Sequence, residues 1–120
     1  MNYDPYKKED VVKAIKREGG SSFLESQVKN PFGIHARPSA AIVKETTKYS
    51  DRQIFLTNLE NGVRANAKSI IEIMTIEAYN TARIMIEVSG EDEGATKILL
   101  RIHSSLMCSS PDEINFNRFE

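Results

Sequence analysis

Two side chains in this sequence stand ready for phosphate chemistry: His35 and, two residues on, Arg37. An imidazole titrates near neutral pH, so a neutral nucleophilic nitrogen is available. A guanidinium offers a planar cationic fork that suits phosphate oxygens. The stretch around them runs Asn30-Pro31-Phe32-Gly33-Ile34-His35-Ala36-Arg37-Pro38-Ser39-Ala40-Ala41. Asn30, Pro31 and Gly33 read as a turn. Pro38 then announces a helix, because first-turn N–H groups have no intrahelical partner and proline loses nothing there. Residues at that mouth sit where unpaired amides and the positive dipole end converge. A histidine there can hold an anionic group on a ring nitrogen while the helix supplies donors to it. A lone histidine near a helix start is ordinarily a cap or a surface residue, so the wider pattern has to decide.

The flanking elements give that pattern. Residues 4–18 read as a short polar helix with a thin apolar stripe of Val11, Val12 and Ile15, ended by Gly19-Gly20-Ser21-Ser22. Phe23 to Lys29 reads as a strand with Leu24, Ser26 and Val28 on one face. A helix is expected from Arg37 to Tyr49. Its Ser39, Ile42, Val43, Thr46 and Tyr49 would face a sheet, and Lys44, Glu45 and Lys48 would face water. Gln53 to Asn58 and Val63 to Asn66 form a hairpin pair about Asn61-Gly62. A short helix follows over Lys68 to Tyr79. Arg83 to Val88 alternates cleanly as a strand. The last helix buries Ala95, Ile98, Leu99, Ile102 and Leu106. The tail from Ser109 through Pro111 and Asn115 is polar and aperiodic, and we expect it to be poorly ordered. The order predicts an α+β open-faced two-layer sandwich: a four-stranded antiparallel sheet covered on one face by three helices, plus a short N-terminal helical extension. The expected organisation is an extension over 1–20, the domain over 21–108 and a flexible tail over 109–120.

Composition narrows the function classes. A chain of 120 residues with 40% hydrophobic and 28% charged residues suits one small globular domain. A net charge of -1 gives no case for nucleic acid or membrane as partner. No apolar run is long enough to span a bilayer, and the first residues lack the apolar core of a signal peptide. One cysteine, Cys108, cannot form an internal disulfide and reads as inert. A cytoplasmic monomer is expected.

The string Gly33-Ile34-His35-Ala36-Arg37-Pro38 resembles the signature of the HPr family, the histidine phosphocarriers of the bacterial sugar phosphotransferase system. The resemblance runs from about Phe23 to about Met107. It implies the HPr fold. It implies a phosphohistidine at His35, formed on Nδ1 by phosphorylated enzyme I and passed to sugar-specific phosphoacceptor proteins. It implies stabilisation of the phosphoryl group by Arg37, with no metal and no cofactor. Such a protein is phosphorylated stoichiometrically and does not turn over a small substrate.

Lys68-Ser69-Ile70-Ile71-Glu72 carries a capping box, Ser at N-cap and Glu at N3. That alone explains Ser69, since an N-cap serine adds about 1 kcal/mol to a helix. Lys-Ser-Ile is also similar to the HPr segment whose Ser is phosphorylated by HPr kinase, which makes Ser69 a regulatory candidate. Glu72 and Glu77 depart from the family pattern, where Gly is usual at the first place and common at the second, and a carboxylate beside a phosphate on Ser69 would repel it. The helix has more apolar residues than one buried stripe needs. Ile73 and Ile76 read as core; Ile70, Ile71 and Met74 read as an exposed docking patch, the role the resemblance gives those positions. His103 falls off the apolar stripe of the last helix and is expected to be solvated.

Two other readings stand beside this one. One is a regulatory HPr relative without sugar transport, in a nitrogen-type phosphotransferase branch or as a target of HPr kinase/phosphorylase. The other is a ferredoxin-like nucleic-acid module, which the element order allows. The strand Arg83-Ile84-Met85-Ile86-Glu87 has neither the basic stripe nor the stacked aromatics such a module needs.

Overall fold

A computed structural model describes residues 2–110 and 113–120; Pro111, in the polar tail, lies outside them. The elements are α1 (Lys8–Ala14), β1 (Lys16–Glu18), β2 (Ser21–Gln27), α2 (Ala36–Thr46), β3 (Ile54–Asn58), β4 (Arg64–Asn66), α3 (Ile70–Thr75), β5 (Arg83–Ser89) and α4 (Glu93–Leu106). The strands form one antiparallel sheet in the order β1-β2-β5-β3-β4. Alternation decides which face is covered. Leu24 pairs with Ile86, and Ile86 with Leu56, making a buried row across three strands. Ile84, Val88 and Ile54 lie on the same face and are buried. Against them pack Ala95, Ile98, Leu99, Ile102 and Leu106 of α4, Ile42 of α2, and Ile73 and Ile76 in and after α3. Each buried Ile or Leu among them stabilises the fold by about 1.5–3 kcal/mol on leaving water. The architecture is the expected α+β sandwich, helices on one face of an antiparallel sheet.

The sheet has five strands where four were expected, and the extra one comes from the N-terminal extension. Gly19 and Gly20 do not end a long helix. With φ of 58° and 85° they are the two central residues of a tight hairpin turn, and Glu18 pairs with Ser21 across it. Left-handed backbone at both positions is what the twist of a two-residue hairpin requires. The polar helix therefore stops at Ala14, and Arg17 on β1 bonds Ser22 at 2.6 Å. Val11 is fully buried, so the extension packs against the core.

Four further expectations change. α3 is shorter than Lys68 to Tyr79, because Glu77 turns into the left-handed region at φ 52°. Glu45 does not face water. It is 3% exposed, and its carboxylate takes the Nε of Arg101 at 2.6 Å and the Tyr49 hydroxyl at 2.7 Å. The end of the tail is docked, not loose: Phe119 is buried, and the Ser104 hydroxyl donates to the Asn115 carbonyl at 2.5 Å. His103 is not solvated either. It has no exposure, its Nδ1 lies 2.7 Å from the Ser26 hydroxyl and its Nε2 2.8 Å from the Pro5 carbonyl. Phe119 stacks on its ring. The helical period put His103 off the stripe, but both extensions fold over that flank of α4 and cover it.

Candidate functional site

The loop that carries His35 is fixed from three directions. Asn30 is buried, and its Oδ1 accepts the Phe32 N–H at 2.9 Å while its carbonyl accepts the Gly33 N–H at 3.0 Å. Asn80 donates from Nδ2 to the Asn30 carbonyl at 3.2 Å. Ile34 donates its N–H to the Ala78 carbonyl at 2.8 Å, which ties the loop to the segment after α3. Gly33 makes that approach possible. It sits at φ 72°, and a Cβ there would lie 2.4 Å from the Ala78 carbonyl oxygen.

His35 is the N-cap of α2 and is partly exposed. Its carbonyl accepts the Ser39 N–H at 3.0 Å and the Ser39 hydroxyl at 2.8 Å. The amides of Ala36 and Arg37 stand before that first intrahelical bond, at the positive end of the helix. Pro38, buried, has no N–H to lose. The His35 Nε2 is buried and has no hydrogen-bond partner among the described residues. Arg37 lies exposed in the first turn of α2. No acidic residue occupies that turn, so nothing in it competes with an anion for the dipole.

α3 packs against α2, and its C-terminal end leads into Ala78 and the His35 loop. Ile70, Ile71 and Met74 are 40%, 79% and 45% exposed, so the apolar patch read from the sequence is on the surface. Ser69 caps α3, its hydroxyl accepting the Glu72 N–H at 3.2 Å. The Glu72 carboxylate does not return to the Ser69 amide as a full capping box would. It accepts the Asn66 N–H at 3.0 Å, bridging to β4. Two exposed aromatic residues flank the loop and were not singled out from the sequence: Phe32, whose ring stands at 86° to the His35 ring with centroids 6.3 Å apart, and Tyr79. An aromatic residue inside an Asn-Pro-x-Gly turn is the signal that could have marked Phe32, since turns favour small polar residues there.

The chain matches the family described as PTS HPr component phosphorylation site over residues 24–102, more than half of its length. It is 36% identical over 84 residues to the phosphocarrier protein HPr of Mycoplasma pneumoniae, covering 67% of this chain and 93% of that protein. It is 37% identical over 72 residues to HPr of Buchnera aphidicola, covering 58% and 81%. Among solved structures, HPr of Bacillus anthracis superposes with a TM-score of 0.62 at 29% identity, over 71% of this chain and 95% of that one. HPr of Thermoanaerobacter tengcongensis gives 0.54 at 31%, over 71% and 93%. With its signature histidine at the mouth of a helix, on a sandwich of the same class, the chain belongs to the HPr phosphocarrier family of the phosphotransferase system.

Proposed function

We propose that this protein accepts a phosphoryl group on Nδ1 of His35 from phosphorylated enzyme I and passes it to sugar-specific phosphoacceptor proteins. The observation that carries this reading is the burial of Nε2 at an N-cap histidine, which leaves one nitrogen available beside the helix-mouth amides. With the neutral ring's proton on Nε2, the Nδ1 lone pair attacks phosphorus as the donor's bond to phosphorus breaks. The phosphoryl oxygens then gain the positive end of α2 and the charge of Arg37. Transfer onward reverses the same displacement. Ile70, Ile71 and Met74 supply a docking surface for both partners. Replacement of His35 by Ala should abolish acceptance from phosphoenolpyruvate plus enzyme I while the fold persists, since a half-exposed cap residue contributes little to the core. Retained acceptance in that variant would remove His35 from the reaction.

A regulatory role through Ser69 is the second reading, and it rests on the half-exposed hydroxyl at the start of α3. A phosphate there would meet the Glu72 carboxylate unless Glu72 stays on the Asn66 amide. Mass spectrometry after incubation with HPr kinase and ATP tests it: a phosphate on Ser69 supports regulation, and its absence removes this role.

A further inference from the structure

We infer that Phe32 is a positioning residue for His35, holding the imidazole in the one ring orientation that presents a nitrogen outward; this rests on the reading of His35 as phosphoryl acceptor. Rotation about the Cβ–Cγ bond of a histidine is broad and roughly two-fold. A half-turn exchanges Nδ1 with Cδ2 and Nε2 with Cε1. Of the two orientations, only one places a nucleophilic nitrogen where a phosphoryl donor can reach it. A hydrogen bond on the buried nitrogen usually makes that choice. Here the His35 Nε2 has no partner among the described residues, so packing must make it.

The His35 ring meets the Phe32 ring in a perpendicular arrangement, at 86° and 6.3 Å between centroids. Phe32 is 69% exposed, so its ring is not there for the core. Its backbone is nevertheless held firmly. Its N–H is bonded to the Asn30 side chain, and the next amide to the Asn30 carbonyl. A pinned backbone carrying an exposed ring against a catalytic imidazole serves the imidazole. Perpendicular aromatic pairs attract beyond the area they bury, which is enough to bias a ring rotation severalfold.

Two measurements on the full chain test this. In the unphosphorylated protein, nitrogen-15 NMR of the His35 ring in wild type, Phe32→Ala and Phe32→Tyr reads the orientation without needing any phosphoryl transfer. A single ring environment is expected in wild type and Phe32→Tyr, and exchange between two in Phe32→Ala. In transfer from purified enzyme I, Phe32→Ala should lower kcat about fivefold with KM little changed, and Phe32→Tyr should restore it. A raised KM with unchanged kcat and an unchanged ring spectrum would make Phe32 a partner contact and overturn the proposal. A lower melting temperature with ring spectrum and kcat unchanged would make it structural and overturn it equally. If wild-type His35 is never labelled, the phosphocarrier reading fails, whereas the ring spectrum still decides whether Phe32 positions His35.

Discussion

Arg101 and Glu45 join α4 to α2 through two hydrogen bonds, Nε to Oε2 at 2.6 Å and Nη2 to Oε1 at 3.0 Å. Asn117 and Glu120 of the tail hold the other side of the same guanidinium. α2 carries His35 at its start, so this pair braces the helix that presents the site. Removing one member of a buried charge pair strands the other. Arg101→Ala should cost about 3 kcal/mol in urea unfolding at pH 7. The bond from Arg101, more than any other cause, holds the Glu45 carboxyl down to about 2 from 4.5. A depressed carboxyl adds stability above its unfolded value and loses it as pH falls through the folded one. Wild type should therefore lose stability between about pH 4.5 and 2, and Arg101→Ala should show a flatter profile there. Equal slopes would mean that Glu45 does not depend on Arg101.

His103 should give a second pH signature, at higher pH. Burial, the largest cause, lowers its pKa from the model-peptide value of 6.5, and the charge of Arg118 lowers it further; the Pro5 carbonyl opposes them. The unfolded chain then binds a proton that the folded chain refuses, so stability falls as pH drops below 6.5. His103→Gln should remove this slope and cost about 2 kcal/mol at pH 8 through the lost hydrogen bond and ring stack. The measurement is denaturant unfolding from pH 8 to 5. An unchanged slope in the variant would assign the effect to another group.

Gly33→Ala should damage both fold and function. A methyl group 2.4 Å from the Ala78 carbonyl oxygen, on backbone at φ 72°, forces the loop off its support. A loss of about 3 kcal/mol in thermal unfolding is expected, with a fall in phosphoryl acceptance larger than the loss of folded protein explains. Wild-type acceptance would show that the Ile34–Ala78 bond is not needed to place His35.

Thr81 and Glu77 hold left-handed backbone at φ 73° and 52°, and they bracket the segment that supports His35. A β-branched residue in that region is strained. Thr81→Gly should stabilise the protein by about 1 kcal/mol, read as a higher melting temperature, and Glu77→Gly by somewhat less. A lower melting temperature in both would mean that the side chains make contacts worth more than the strain.

The antiparallel sheet, the succession of its four expected strands along the chain and the three helices over it were legible from periods of two and of 3.6 residues and from the turn residues between them. Leu24, Ile84, Ile86 and Ile98 needed nothing more. The His35 loop was legible from its residue types. What escaped depends on partners distant in sequence. Gly19-Gly20 ends a helix or turns a hairpin with the same residues, and only β2 decides between them. Glu45 and His103 look solvated on a helical wheel until Arg101, Pro5 and Phe119 arrive from elsewhere in the chain. Phe32 has no apolar neighbour in its turn, so its role emerges only from its contact with His35.

The central claim is that His35 carries the phosphoryl group on Nδ1, and the most direct measurement is to find that group. The full chain is incubated with phosphoenolpyruvate and purified enzyme I, and the product is examined by phosphorus-31 and nitrogen-15 NMR with peptide mapping. A single acid-labile phosphate on Nδ1 of His35 is the expected result. A phosphate on Nε2, on another residue, or no phosphate at all with an enzyme I that labels an HPr relative would contradict it.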